Sequence, residues 1–162
     1  VAFAADIYGK DLQEDLPFET RGEQATLYRS NQALYVQRMQ TAIDLVKARD
    51  DVDINKIAII GYCFGGTGVV TYAFSGAEDA KIAVAFHGGL TSLPSPSPEI
   101  KSHILILSGG DDDAHGNQTE LEMHFNEGNA DWEITRYADV VHGFTSWTSR
   151  GYNLLADARS WE

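Results

Sequence analysis

The stretch Ile57-Ala58-Ile59-Ile60-Gly61-Tyr62-Cys63-Phe64-Gly65-Gly66 constrains this chain more than any other. A run of buried-type apolar residues ends in Gly-x-Cys-x-Gly-Gly, and small residues follow. That order predicts a strand that stops, turns sharply and feeds a helix, the layout of a nucleophile elbow. The residue at the tip of such a turn is held away from the core and presented outward. Glycines at 61 and 65 are expected because a Cβ at either would crowd the turn. Cys63 is also the only cysteine in the sequence.

The remaining chain alternates strand and helix signals. Val1 to Tyr8 reads as a buried strand closing on Gly9, and Lys10 to Gly22 as a polar, exposed excursion around Pro17. From about Glu23 to Ala48 apolar residues recur at helical spacing (Val36, Met39, Ile43, Val46), with a break expected near the good N-cap residues Ser30 and Asn31. Ile57–Ile60 is the elbow strand, and 65–74 the helix after it. Further strands are expected at 81–86, 103–107 and 132–137, with helices at 118–127 and 152–161. The proline-rich segment 93–98 reads as an extended connector, too short to divide the chain. Strands alternating with helices imply a mostly parallel sheet covered on both faces, a three-layer α/β/α sandwich. With 162 residues, one domain over 1–162 is expected.

In such a sheet the functional groups gather at the carboxyl ends of the strands. Cys63, the Asp111-Asp112-Asp113 cluster and His142 all fall just after predicted strands. A thiol needs a base, and the base needs a partner that fixes its tautomer. The order nucleophile, acid, histidine is that of the α/β-hydrolases. Of the other histidines, His87 ends a strand on the same edge and is the competitor of His142. Its chain position fits pocket lining better than the role of base. His103 starts a strand, away from this edge, and His115 and His124 read as surface residues. The backbone N–H of Phe64 is the expected oxyanion donor, with a second donor on a segment that Val1 does not follow. No histidine pair has metal-ligand spacing, so no metal and no cofactor are expected.

Composition narrows the partners. A net charge of −12 and a pI of about 4.7 oppose binding to nucleic acid or to anionic membranes. No apolar run approaches the roughly 20 residues of a membrane span. A single thiol suits a reducing compartment, so a cytoplasmic location is expected.

The elbow hexapeptide Gly61-Tyr62-Cys63-Phe64-Gly65-Gly66 resembles the nucleophile motif of dienelactone hydrolases, the Cys-His-Asp branch of the α/β-hydrolases. Ala5-Asp6-Ile7-Tyr8-Gly9-Lys10 resembles that family's Asp-x-Tyr segment, and Gly109-Gly110-Asp111-Asp112 and His142-Gly143-Phe144 follow in order. The resemblance spans essentially the whole chain. It implies Cys63 as nucleophile, His142 as base and, through the Gly-Gly-x-Asp register, Asp112 as the orienting acid. Family members that act on dienelactone bind its carboxylate with two arginines. Here the matching positions hold Lys10, expected to bind substrate as a point charge that can still pair with a carboxylate, and the uncharged Thr145-Ser146, so a more general ester, lactone or thioester is expected at least as much as dienelactone itself, with Phe64, Phe144 and Trp147 as apolar walls.

The family's first strands have no counterpart before Val1, and the chain lacks an initial methionine. A fragment is therefore expected, with an N-terminally truncated fold whose bare sheet edge is covered by a second copy or a separate segment. The alternatives to a hydrolase are a catalytically impaired remnant serving as an oligomeric or binding module, and a thiol redox sensor. The sensor ranks last, because no second cysteine is present to resolve a sulfenic acid.

Overall fold

The computed structural model describes residues 1–12 and 17–162. Its centre is a four-stranded, wholly parallel sheet in the order β1-β2-β3-β4, with β1 at Ala58–Tyr62, β2 at Ile82–Phe86, β3 at His103–Gly109 and β4 at Trp132–Tyr137. The helices are α1 (Phe18–Ser30), α2 (Gln32–Lys47), α3 (Phe64–Phe74), α4 (Gln118–Glu127) and α5 (Leu154–Arg159). This is the expected α/β class with a parallel sheet flanked by helices. No helix among the described residues is long and apolar enough to cross a membrane.

The two faces of the sheet differ. Side chains alternate along each strand, so Ile59 on β1, Ala83 and Ala85 on β2, Ile104 and Ile106 on β3, and Ile134 on β4 share one face. Val69, Val70, Ala73 and Phe74 of α3 and Leu121 and Phe125 of α4 pack on it. Burying each such Val, Ile, Leu or Phe side chain contributes about 1.5–3 kcal/mol. The apolar stripe of α2 extends this layer, with Ile43 buried and Val36 and Met39 packed beside it against Ile57 and Tyr72. Asn31 caps α2 by accepting from the Leu34 N–H at 3.1 Å, which separates it from α1. Among the described residues the opposite face carries only the short α5, placed over the carboxyl ends of the strands by Trp161 against Phe86 and by Ala156 in a small core with Val140 and Phe144. There Ile60 and Ile82 remain 52% and 42% exposed.

Three expectations are corrected. Val1–Tyr8 forms no strand and is exposed from Val1 to Asp6. Apolar content alone does not make a strand. Here the Asp6 carboxylate instead closes a turn by accepting from the Gly9 N–H at 2.9 Å. The excursion expected over 10–22 is in part helical. Residues 10–12 form a 3₁₀ turn and α1 already begins at Phe18, directly after Pro17, whose fixed φ suits a helix entry; residues 13–16 lie outside the described part. His115 is 1% exposed rather than on the surface, because the 3₁₀ turn Asp113–His115 tucks its ring under the loop, where Nδ1 meets Ser108 Oγ at 2.9 Å.

The elbow glycines divide into two kinds. A Cβ on Gly61 would land on the carbonyl of Gly65, whereas one on Gly65 would meet nothing within 4 Å. Only the first of the two is therefore required by space. Gly61→Ala is expected to lower stability in urea denaturation by about 3 kcal/mol through overpacking. Gly65→Ala is expected to leave it unchanged or raise it by up to about 1 kcal/mol, by removing a helix glycine.

Candidate active site

The parallel register pairs Tyr62 with Phe86, so the residues just beyond, Cys63 and His87, leave the sheet side by side. Both turn with positive φ, 49° at Cys63 and 38° at His87. Such conformations cost a non-glycine residue about 1–3 kcal/mol and persist only where neighbours enforce them. At Cys63 the enforcement is visible. Its N–H donates to Phe86 O at 3.1 Å, and its C=O accepts from the Thr67 N–H at 3.2 Å as α3 begins. Gly66 in turn lies against Gly88, where an added Cβ would come within 2.7 Å of the Gly88 Cα. The two turns are thus held backbone to backbone, and the Cys63 Sγ sits 3.3 Å from His87 Nδ1.

A second pair arrives in the same way from β3 and β4. A Cβ on Gly109 would strike the Val140 carbonyl, and the Gly110 and Asp111 N–H groups donate to Tyr137 O at 2.7 Å and Val140 O at 2.9 Å. These contacts bring the loop after β4 over the loop after β3. The His142 Nδ1 then lies 3.0 and 3.2 Å from the two oxygens of Asp112, which is 4% exposed. Asp112 Oδ1 also accepts from the Ala114 N–H at 2.9 Å, which fixes the carboxylate. Asp111 and Asp113 are exposed. The ligand atoms of Cys63, His87 and His142 all lie within 4.8 Å of one another, which puts the His142 ring beside the sulfur.

The electrostatics follow from these contacts. Burial pushes the Cys63 thiol up, but the two imidazoles beside it, His142 before His87, bring it down to about 6. The hydrogen bond to Cys63 raises His142 to about 9, against its own burial and with help from Asp112. Between those limits the pair rests as thiolate and imidazolium. The start of α3, immediately beyond Cys63, favours the anion as well.

His87 is more than a wall residue, the role its chain position suggested. It is buried, touches the sulfur directly, and its Nε2 lies 2.8 Å from Thr145 Oγ1. A Thr145 hydroxyl that donates to Nε2 leaves the Nδ1–H facing sulfur. The position of His87 on the strand edge was readable in the sequence; the part of Thr145, 58 residues away, left no local signal.

The other expected site residues scatter. A cavity of about 620 Å³ opens in front of Cys63 and His87, walled by Tyr62, Trp147, Leu154 and Trp161 with Asp157 among them. Trp147 is the one expected wall that lines it. Phe144 is fully buried behind His87, ring centroids 5.2 Å apart, because the small core under α5 takes it. The Phe64 ring turns away to stack on Tyr35 at 4.7 Å, and Tyr35 donates to the Phe64 carbonyl at 2.8 Å. The Phe64 N–H is the first of α3 and so has no acceptor within the helix. Lys10 stands on the exposed 3₁₀ turn and is not part of the cavity wall.

A parallel sheet that carries a cysteine on the turn after β1, an acid after β3 and a histidine after β4 defines a protein of the α/β-hydrolase class. More narrowly, the chain belongs to the dienelactone hydrolase family, which it matches over residues 1–162. It is 29% identical over 126 residues to a putative carboxymethylenebutenolidase of Escherichia coli K12, a match covering 71% of this chain and 46% of that protein. It is 25% identical over 136 residues to an uncharacterized protein of Caenorhabditis elegans, K02A2.1, covering 77% of this chain and 86% of the other. Among solved structures, a dienelactone hydrolase-like promiscuous phosphotriesterase, P91, from metagenomic libraries superposes with a TM-score of 0.83 at 30% identity, over 98% of this chain and 69% of that one. A putative dienelactone hydrolase from Klebsiella pneumoniae gives 0.66 at 25% identity, over 80% and 58%.

The Cys63–His142 contact has a direct signature. The rate of Cys63 alkylation by iodoacetamide is expected to rise with pH to a plateau, with a midpoint at about 6. In His142→Gln the midpoint is expected to move up toward the ordinary thiol value of about 8.5.

Proposed function

We propose that this chain hydrolyses a neutral ester, lactone or thioester through a covalent thioester on Cys63. The observation that carries the reading is the sulfur of Cys63, at the tip of a strained turn, 3.3 Å from one imidazole and within 4.8 Å of a second that a buried carboxylate holds. The thiolate attacks the carbonyl carbon, and the oxygen takes the negative charge. The Phe64 N–H, at the positive end of α3, is the donor on this chain placed for that charge. The tetrahedral species collapses as the His142 imidazolium protonates the leaving oxygen or sulfur, which departs as an alcohol or thiol. His142, now neutral, takes a proton from water as the water attacks the thioester, and the tetrahedral species then expels Cys63 as thiolate while the acid is released, which restores the thiolate–imidazolium pair. Asp112 orients His142 throughout and stabilises its charged form.

The cavity supports a substrate class. Its walls are aromatic and aliphatic, its one carboxylate is Asp157, and no lysine or arginine lines it among the described residues. Trp147 Nε1–H donates to Asp157 Oδ2 at 3.3 Å, so this carboxylate is fixed beside the indole. A substrate carboxylate entering there would meet like charge in an apolar surround. An uncharged acyl or alcohol group with apolar bulk fits better than the anionic dienelactone.

Turnover of p-nitrophenyl acetate tests the reaction. Wild type is expected to turn it over with a bell-shaped kcat/KM, rising through about pH 6 as the thiolate forms and falling through about pH 9 as His142 loses its proton. Cys63→Ala is expected to abolish turnover, and equal rates in the two proteins would overturn the reading. The substrate class is tested by an ester pair, one neutral and one bearing a carboxylate on its acyl chain. Asp157→Asn is expected to raise kcat/KM for the anionic ester several-fold and to leave the neutral one within about twofold.

A further inference from the structure

Cys63, His87 and His142 reach one point from the ends of three strands, and their ligand atoms lie within 4.8 Å of one another. We propose that this cluster is a three-ligand site for a thiophilic divalent cation of the zinc class, and that the bound cation reversibly shuts off the nucleophile. One thiolate and two imidazole nitrogens form a donor set that zinc favours, with a fourth position left for water. Zinc bonds of about 2.3 Å to sulfur and about 2.0–2.1 Å to nitrogen, tetrahedrally arranged, hold such donors roughly 3.3–3.7 Å apart. The Cys63 Sγ to His87 Nδ1 distance, 3.3 Å, already lies there. The rest of the cluster has to contract by at most about 1.5 Å, within the reach of side-chain rotation.

An independent observation concerns the far side of each ring. His142 Nδ1 is held by Asp112 at 3.0 Å, and His87 Nε2 by Thr145 Oγ1 at 2.8 Å. Ligating histidines are almost always anchored this way, which fixes the ring and raises the basicity of the nitrogen facing the metal. His142 would ligate through Nε2 while Nδ1–H continues to donate to Asp112. His87 would ligate through Nδ1 with the proton on Nε2, and the Thr145 hydroxyl would accept it instead of donating, as a hydroxyl can do either. The fourth position faces the cavity of about 620 Å³, where water has access. With the sulfur and His142 Nε2 both committed to the metal, neither carbonyl attack nor proton transfer proceeds. The cation is therefore an inhibitor here and not a cofactor. The three residues sit on separate loops, so no short sequence spacing announces the site.

The test reads metal directly, without substrate. Untagged protein titrated with Co²⁺ is expected to bind one ion per chain, with an intense thiolate-to-cobalt absorption and tetrahedral visible bands, both lost on adding Zn²⁺. Cys63→Ser is expected to lose the thiolate absorption. His87→Asn, which keeps a residue tolerant of positive φ, and Thr145→Val are each expected to weaken binding about tenfold or more, with unchanged circular dichroism. In the ester assay Zn²⁺ is expected to inhibit and EDTA to restore the rate. Cobalt bound without a thiolate band, or bound equally by wild type and all three variants, would overturn the proposal and point to surface carboxylates. A full metal signature in a protein without ester turnover would leave this proposal standing and remove the hydrolase reading.

Discussion

The start of α3 lies on the turn after β2 with no side chain between them, and the site depends on that contact. Gly66 and Gly88 each occupy the space a Cβ would need on the other. Any larger residue at either position would lever the helix off the turn and separate Cys63 from His87. The parallel register does the rest, since it ends β1 and β2 at the same level and releases both residues together. The same device recurs one strand pair along, where Gly109 admits the backbone of Val140 and so draws the His142 loop over Asp112. Two close backbone contacts, both flush with the carboxyl edge of the sheet, thus determine which side chains can meet.

The charge state of the cluster follows from that geometry and not from any one residue. Burial alone would hold the thiol protonated. Two imidazoles reverse this, and they do so unequally. His142 has a carboxylate behind it and can carry the positive charge, whereas His87 has a threonine hydroxyl behind it and supplies a directed hydrogen bond. One ring is therefore suited to moving a proton and the other to holding the sulfur in place. Positive φ at Cys63 and His87 points both side chains at a common centre, and the strain is carried by the glycine contacts beneath them.

Much of this was legible in the sequence, for a physical reason in each case. The elbow was readable because steric need concentrates glycines around the tip. The helices Gln32–Lys47 and Gln118–Glu127 were readable from their apolar spacing and from Asn31 and the glycine after Glu127 as stops. Val1–Tyr8 was misread because an apolar run reports only that a segment can be buried, not that it pairs with a strand. Phe64 and Phe144 were misplaced as walls because burial competes for large aromatic rings, and Tyr35 and the core under α5 provide better packing than an open cavity. The link from Thr145 through His87 to Cys63 spans three loops, and such links are created only when the register is set.

Forming the thiolate and using it are separate properties of this fold. The first rests on Cys63, His87, His142 and Asp112, all positioned by contacts on the covered face of the sheet and at its carboxyl edge. In the proposed hydrolysis the second rests on what stabilises the carbonyl oxygen, for which the described residues offer the Phe64 N–H at the start of α3. That N–H is fixed by Tyr35, which holds the Phe64 carbonyl, and by the aromatic stack between them. The donor thus belongs to the α2–α3 side of the site, while the base belongs to the β3–β4 side. Their relation is set by the register of the sheet from β1 to β4. The open face, with Ile60 and Ile82 exposed beside the thin cover of α5, is where that sheet is least covered among the described residues.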